Sequence, residues 1–197
     1  VFELDGRAVR ARVGESLLDV ADREGVAIPR LCAKPGLAAV GNCRVCMVEV
    51  EGQRTLQAAC TYPINSPTKV TTSTRSVRQA RRHVIDLMLS DHYGECYACP
   101  RNNNCELQNL AKEYGVEFYR FGHMEEPIFE IEDSSFSVVR DMNKCVLCRR
   151  CVRTCIDLQE VGVLEALNRG HETRIDTFMH KSLIDVICIN CGQCINR

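Results

Sequence analysis

Lys144-Cys-Val-Leu-Cys-Arg-Arg-Cys-Val-Arg-Thr-Cys155 carries four cysteines at i, i+3, i+6 and i+10, and its reading decides the fold of the chain's second half. Three thiolates wrapped on one turn can hold three corners of a cubane [4Fe-4S] cluster, while the fourth points away from them. A second run, Val186-Ile-Cys-Ile-Asn-Cys-Gly-Gln-Cys194, repeats the triplet as Cys188, Cys191 and Cys194. Between the two runs a hairpin fits, turning at Asn168-Arg169-Gly170. Two related halves are what a two-cluster fold requires.

The first run has the spacing of bacterial ferredoxins, except that Ile156 stands in the usual proline position. In a two-cluster fold the distal cysteine of a run serves the other cluster. Crossed ligation therefore gives one [4Fe-4S] cluster the ligands Cys155, Cys188, Cys191 and Cys194. The other receives Cys145, Cys148 and Cys151, with a fourth ligand expected ten residues after Cys188, one position beyond Arg197. A zinc ribbon is the alternative, but ribbons use separated Cys-x-x-Cys pairs and not two triplets.

Upstream lie two further sets. Cys32, Cys43, Cys46 and Cys60 follow the pattern Cys-x10-Cys-x2-Cys-x13-Cys, which lengthens the first loop of the plant-type [2Fe-2S] spacing. That loop contains Pro35, Gly36 and Gly41, and its glycines let backbone amides approach sulfur. Cys60, isolated beside a strand, also suits a buried core position. Cys96, Cys99 and Cys105 need a fourth ligand, and His92 precedes them in a His-x3-Cys-x2-Cys-x5-Cys pattern suited to a third [4Fe-4S] cluster. Imidazole is a competent iron ligand, and its neutrality gives this cluster a different charge. His83 competes from the preceding helix, where it falls on or near the apolar face and reads as packed. His123, His171 and His180 have no cysteine spacing around them.

Fourteen cysteines in 197 residues fall below the roughly 8–10% typical of small disulfide scaffolds. Repeated Cys-x-x-Cys steps aim several thiolates at one point, whereas disulfides need only pairs. Metal is the better reading, and labile clusters with free thiolates imply a reducing, cytoplasmic compartment. A formal charge of −1 gives no reason to expect nucleic acid or anionic lipid, and no apolar run approaches the roughly 18 residues of a membrane span. Neither a Gly-x-Gly-x-x-Gly fingerprint nor a P-loop occurs, so a flavin or NAD site belongs on another chain. With 6% aromatic residues and no Trp the cores should be small, with metal supplying much of the stability.

Local signals give an α+β plan. Asp5-Gly6 suits a type I′ hairpin turn between two extended stretches. Ser16 caps a short helix of Leu17, Leu18, Val20 and Ala21 that stops at Gly25. Arg44–Val50 and Arg54–Ala59 read as paired strands, with a last strand near Lys69–Thr72. A longer helix spans Thr74 to about Asp91, with Val77, Ala80, Val84, Leu87 and Met88 on one face. Arg75, Arg78, Arg81 and Arg82 crowd it, reading first as a solvated face and second as a docking patch for an acidic partner. A further helix runs from about Cys105 to Tyr114 and ends at Gly115, and the irregular, acidic stretch 116–135, with Pro127 inside, reads as a linker.

Taken together, the residues resemble the amino-terminal iron-sulfur region of a large multi-cluster [FeFe]-hydrogenase over essentially the whole chain. The resemblance is carried by His92-Tyr-Gly-Glu-Cys-Tyr-Ala-Cys99, Cys105-Glu-Leu-Gln108, Val139 to Arg150, Val161 to Gly170, and Cys191-Gly-Gln-Cys194. Similar modules occur in NAD-linked formate dehydrogenases, the diaphorase subunit of NAD-reducing nickel-iron hydrogenases and the large iron-sulfur subunit of complex I. The resemblance implies a β-grasp, plant-ferredoxin-like [2Fe-2S] domain at 1–73 and a small helical domain at 74–115 for the histidine-ligated cluster. After the linker at 116–135, it implies a bacterial two-[4Fe-4S] ferredoxin-like domain at 136–197.

The implied function is an electron relay in an anaerobic oxidoreductase, most readily an [FeFe]-hydrogenase. One [2Fe-2S] and three [4Fe-4S] clusters would pass electrons between ferredoxin or an NAD(P)H-oxidising flavoprotein subunit and a catalytic domain or subunit following Arg197. No catalytic residue is expected among these 197. A formate dehydrogenase, diaphorase or complex I-type subunit is the alternative. A zinc-stabilised interaction module, with the arginine-rich helix as its docking face, is the reading from another class.

Overall fold

The protein is represented by a computed structural model that describes residues 1–117, 120–122, 126 and 128–196, with His171 described in its backbone only. His123, Pro127 and Arg197 lie outside the described residues.

The amino-terminal half is a five-stranded sheet with one helix across it. Strands β1 (Phe2–Leu4) and β2 (Arg7–Val9) form the expected hairpin, with Asp5 and Gly6 both at positive φ, as a type I′ turn requires. The Asp5 carboxylate accepts hydrogen bonds from the backbone N–H of Thr72 (2.7 Å) and from its hydroxyl (2.6 Å), tying the turn to the end of β5 (Lys69–Thr71). β1 runs parallel to β5 in register Leu4↔Val70. β5 then pairs antiparallel with β3 (Met47–Val50), and β3 with β4 (Gln57–Ala58), for a sheet order β2-β1-β5-β3-β4. Helix α1 (Leu17–Arg23) starts where Ser16 Oγ accepts from Asp19 N, and it buries Leu17, Leu18, Val20 and Ala21 against Phe2, Leu4, Val48 and Val70.

Both β3 and β4 are shorter than the sequence indicates. Arg44 takes a left-handed conformation (φ 57°), so the backbone is still turning through Cys43–Cys46 and strand pairing begins only at Met47.

Helix α2 (Arg75–Ser90) is capped by Thr74, whose hydroxyl accepts from Val77 N and donates to Glu49 Oε2 on β3. Its buried stripe is Val77, Arg81 and Ile85, one position around from the predicted face, and Leu87 is 47% exposed. Arg81 thereby leaves the solvated set and lies in the interior. His83 is only half-buried and lines a basic basin with Arg75, Arg78, Gln79, Arg82, Tyr114 and Arg120, away from the apolar face expected for it. The long side chain of Arg81 reaches across to Met47 at the start of β3, a long-range contact that places position 81 on the interior face.

Helix α3 (Glu106–Glu113) ends at Gly115 (φ 60°) as expected. Leu107 and Leu110 join Ile85, Leu31, Val45, Cys32 and Cys43 in a second core, so helices α2 and α3 share their interior with the loop that carries Cys32 and Cys43. No helix among the described residues is long and apolar enough to cross a membrane.

The described part of 116–135 contains no helix or strand but is tied down at several points. Arg120 donates from its backbone N–H and from Nε to the buried Asp86 (3.3 and 2.9 Å), and Glu132 bridges Arg140. Asn143, 3% exposed, accepts from Ile128 N (2.8 Å) and Phe129 N (2.9 Å) and donates to Phe129 O (2.8 Å) and Asp141 Oδ1 (2.9 Å). Beyond it come the short helix α4 (Arg150–Arg153), continued as a wider turn to Leu158, and the hairpin of β6 (Glu165–Leu167) and β7 (Arg174–Asp176). Asn168 and Gly170 turn that hairpin at positive φ.

Asn143→Ala removes all four side-chain bonds and strands two backbone donors, a loss of roughly 2–3 kcal/mol. The intact protein should melt earlier and be cut faster by protease between 120 and 132, and Asn143→Asp, which keeps the acceptor, should lie between the two. Unchanged melting and cleavage in Asn143→Ala would contradict this role.

Candidate metal centres

All four cysteines of the first set are buried and mutually in contact. The backbone N–H of Cys32 donates to Cys43 Sγ (3.3 Å) and that of Cys43 to Cys32 Sγ (3.5 Å). Gly41 (φ 60°) closes the loop: a Cβ there would meet Thr61 Oγ1 at 3.2 Å, beside Cys60, so a larger residue would strain the backbone and push Thr61 aside. Hydrogen bonds from Cys43 and Cys60 hold the Cys32 thiol far below its usual range despite burial, and the donors Cys43 and Cys60 are pushed up in exchange. The group thus holds charge on Cys32, with its neighbours as the donors, and a metal would have to displace the protons of Cys43 and Cys60. Cys60, the ambiguous member by sequence, sits inside the group.

His92 is 9% exposed and shares one pocket with Cys96, Cys99 and Cys105, the partners its spacing selects. His83 lines the separate basic basin. The pocket is shaped by a short turn at Cys96–Ala98 and by Gln108, which accepts from Asn103 N (3.0 Å) and donates to Asn102 Oδ1 (3.1 Å). Lys144 Nζ bonds Tyr93 O (3.1 Å) and lies 4.5 Å over the Tyr93 ring, fixing this loop to the residue before Cys145.

In the last third, Cys155 lines a pocket with Cys188, Cys191 and Cys194, roofed by Val138, Val163 and Leu183. Cys151 lies close enough to Cys145, Cys148 and Cys194 to interact with them electrostatically, and Cys145 and Cys151 pack on the same apolar core as Cys155, Cys188 and Cys194. The backbone thus brings Cys155 beside the second triplet, more than thirty positions away in sequence. The two triplets share their geometry: the third residue of each, Leu147 and Asn190, is left-handed, and so is the fifth, Arg149 and Gly192. Such reversals turn amides toward sulfur, and Leu147 N donates to Cys145 Sγ and Val163 N to Cys155 Sγ, each at 3.3 Å. Burial pushes Cys145 up to about 11 and Cys151 up to about 12, with neighbouring thiol charges adding to the effect. These thiols keep their protons at neutral pH until a metal displaces them.

Soft thiolates with amide donors and one imidazole fit iron-sulfur clusters at every set. Among the described residues no three His, Cys, Asp or Glu side chains close on one point as a single ion demands; the thiols ring pockets instead. The second and third sets abut, since Cys148 lines a cavity with His92, Cys99 and Cys105.

Two arginines between the cysteines of the first quoted run have no role that spacing alone assigns. Arg150 pairs in a fork with Glu106 (3.0 and 2.7 Å), and Arg153 donates to the carbonyls of Cys32 and Ala38. With Asn42 Nδ2 on Leu147 O (2.9 Å), they lock the third set onto the loop of the first. Their signal in the sequence is a cation repeated at i, i+3 among thiolates on a single turn.

Three family models tile the chain. Residues 1–75 match one described as a 2Fe-2S iron-sulfur cluster binding domain, 81–120 the NADH-ubiquinone oxidoreductase-G iron-sulfur binding region, and 136–191 the NADH-quinone oxidoreductase subunit 3, ferredoxin-like domain. Over 98% of its length the chain is 38% identical to the NADP-reducing hydrogenase subunit HndD of Solidesulfovibrio fructosivorans, covering 34% of that protein. It is 33% identical, over 90% of its length, to the NADH-ubiquinone oxidoreductase 75 kDa subunit of Reclinomonas americana, covering 26% of it. The chain therefore spans about a third or less of these relatives. The crystal structure of an NAD+-reducing [NiFe]-hydrogenase in the H2-reduced state matches with a TM-score of 0.85 at 28% identity, over 94% of this chain and 78% of that one. A 2Fe-2S domain followed by 4Fe-4S binding regions is present, in the order the cysteine sets suggest.

Grouping by pocket predicts grouping by signal. In the intact protein, Cys155→Ser should remove the same paramagnetic signal as Cys191→Ser and leave the one that Cys151→Ser removes. If Cys155→Ser groups with Cys151→Ser, the crossed arrangement is wrong.

Proposed function

We propose, for a chain that carries the iron-sulfur region of NADH-quinone oxidoreductase G and hydrogenase-type proteins, an electron relay built on four cluster sites. The first is a [2Fe-2S] site on Cys32, Cys43, Cys46 and Cys60 in a β-grasp domain. A [4Fe-4S] site on His92, Cys96, Cys99 and Cys105 follows in the helical region 74–115. The ferredoxin-like part from 136 contributes two more, one on Cys155, Cys188, Cys191 and Cys194 and one on Cys145, Cys148, Cys151 and a ligand still to be identified. The observation that carries this reading is the pocket gathering Cys155 with three cysteines more than thirty positions away. A fold whose thiols served only as buried apolar groups has no need of that crossing.

When bound, such clusters accept and release single electrons without proton chemistry on the protein. The chain's own residues do the rest. Thiolates and His92 hold each group, the N–H groups of Cys32, Cys43, Leu147 and Val163 donate to sulfur, and the apolar shells of Leu31, Val45, Leu107 and Val163 exclude water. Arg150, Arg153 and Lys144 keep the sites adjacent. No residue here is assigned a bond-making role; catalysis belongs to a centre outside these residues.

The protein in which this relay works is, on the sequence motifs, an [FeFe]-hydrogenase of the anaerobic cytoplasm, exchanging electrons with ferredoxin or an NAD(P)H-oxidising flavoprotein subunit. The hydrogenase relative at 38% identity favours it. A diaphorase or complex I-type subunit is supported equally by the NAD+-reducing [NiFe]-hydrogenase fold and by the NADH-ubiquinone oxidoreductase relative.

Anaerobically purified intact protein should contain iron and acid-labile sulfide in near-equal amounts consistent with three or four clusters in this region. Its visible absorption should bleach with dithionite and return on reoxidation. A colourless protein containing zinc, which is redox silent, would end the relay reading. His92→Ala should alter the signal of a single [4Fe-4S] cluster, whereas His83→Ala should alter none.

A further inference from the structure

Buried charges in this chain are generally paired. Arg150 has Glu106, Arg140 has Glu132 and Asp176, and Asp86 has Arg120. Arg81 and Arg153 are the exceptions, at 3% and 6% exposure. Among the described residues neither guanidinium makes an ion pair, and every hydrogen-bond acceptor they meet is neutral. Arg81 donates through Nε and Nη2 to Met47 O (3.2 and 2.7 Å) and through Nη1 to Tyr114 Oη (3.0 Å). Arg153 donates to the carbonyls of Cys32, Ala38 and Arg149.

Carbonyl dipoles satisfy the donors but supply no opposite charge, and an uncompensated buried ion is strongly destabilising. The two end points are informative. Arg153 grips the main chain at Cys32 itself, and Arg81 grips Met47, the residue after Cys46. They arrive from α4 and α2, outside the sheet that carries the first cysteine set, and their carbonyl acceptors lie at opposite ends of that set's Cys32–Cys46 segment. Four thiolates around a [2Fe-2S] core make a dianion when oxidised and a trianion after one electron is added.

We propose that Arg81 and Arg153 are the counter-charges of the first cluster site, positioning residues that make its reduced state accessible. Attraction to a fixed cation grows with the anion's charge, so the pair stabilises the reduced form more than the oxidised form and raises the potential. Burial removes the water and salt that would screen such an effect at a surface. The two cations differ in reach. Among the described residues Arg81 hydrogen-bonds Met47 and Tyr114, so its influence centres on the first site. Arg153 lies two residues from both Cys151 and Cys155, so its charge is shared with the later sites.

This inference rests on Cys32, Cys43, Cys46 and Cys60 holding a [2Fe-2S] cluster, and one experiment separates the two ideas. In the intact protein, the reduced [2Fe-2S] paramagnetic signal is followed against potential, with dithionite as the electron source, for Arg81→Gln, Arg81→Lys, Arg153→Gln, Arg153→Lys and the exposed control Arg82→Gln. Each Gln variant at 81 or 153 should weaken reduction at least tenfold, about 59 mV for a one-electron couple. Arg153→Gln should also move a [4Fe-4S] signal, Arg81→Gln none, and the Lys variants should stay close to the parent protein. Absence of a [2Fe-2S] signal in the parent would refute the ligand assignment. A normal signal whose potential ignores both Gln variants, or falls equally with Lys and Gln, overturns the counter-charge role alone. If the Gln variants lose the cluster, the Lys variants decide: retention at near-parent potential supports charge, and loss means that guanidinium geometry matters and the proposal is wrong.

Discussion

The interior of this protein is organised around sulfur. The first core includes Cys46 and Cys60, and the second includes Cys32 and Cys43, with Cys105 and Cys148 against it. The third has only five fully buried apolar residues, with five cysteines packed partly buried on them. A core that small cannot offset the chain entropy of the 136–196 region by apolar burial alone. Metal bound by these thiols would supply the missing stability and tie cluster assembly to folding. Short strands and broken helices follow, because the backbone must keep reversing to present amides and thiols to each pocket.

The regions are joined both by the second apolar core, on which Val146 and Cys148 pack, and by polar contacts. Arg150 and Arg153 occupy one face of α4 while the cysteines of the same turn face the pockets, so a single turn both presents thiols and docks onto the first loop. Lys144 does the same for the loop of His92. Adjacency of the sites is thus encoded in residues that alternate with the ligands themselves.

Features set by neighbours in sequence were legible. The Asp5-Gly6 turn, the Ser16 and Thr74 caps, the stop at Gly115 and the hairpin around Asn168–Gly170 each depend on one residue's local chemistry. The order of the iron-sulfur regions was legible for the same reason, since Cys-x-x-Cys spacing is local geometry. What escaped depended on distance. Arg81 looks like one more solvated arginine until Met47 and Tyr114, more than thirty positions away on either side, are brought to it. The strand read from Arg44 loses its first three residues because a loop closing on Cys32 claims them. His83 was assigned by helix phase, and the phase shifted once Arg81 turned inward.

The backbone repeat in the last third shows which way causation runs between residue preference and ligand geometry. Asn190 and Gly192 adopt the left-handed region at little cost, as their side chains allow. Leu147 and Arg149, at the same two places in the other triplet, do not, and each carries on the order of 1 kcal/mol of strain. Residues with no preference for the conformation still take it, so the conformation is imposed by what surrounds them. The compensation is visible at both: Leu147 N donates to Cys145 Sγ while its carbonyl accepts from Asn42, and Arg149 O accepts from Arg153. Strain at the first triplet is therefore held by the same contacts that dock it onto the first cysteine loop. The relaxed second triplet has Asn190 bonded instead to Ser135 and Ser137, within its own region. The strained copy is the one that faces another site, and its cost is bound up with keeping the two sites together.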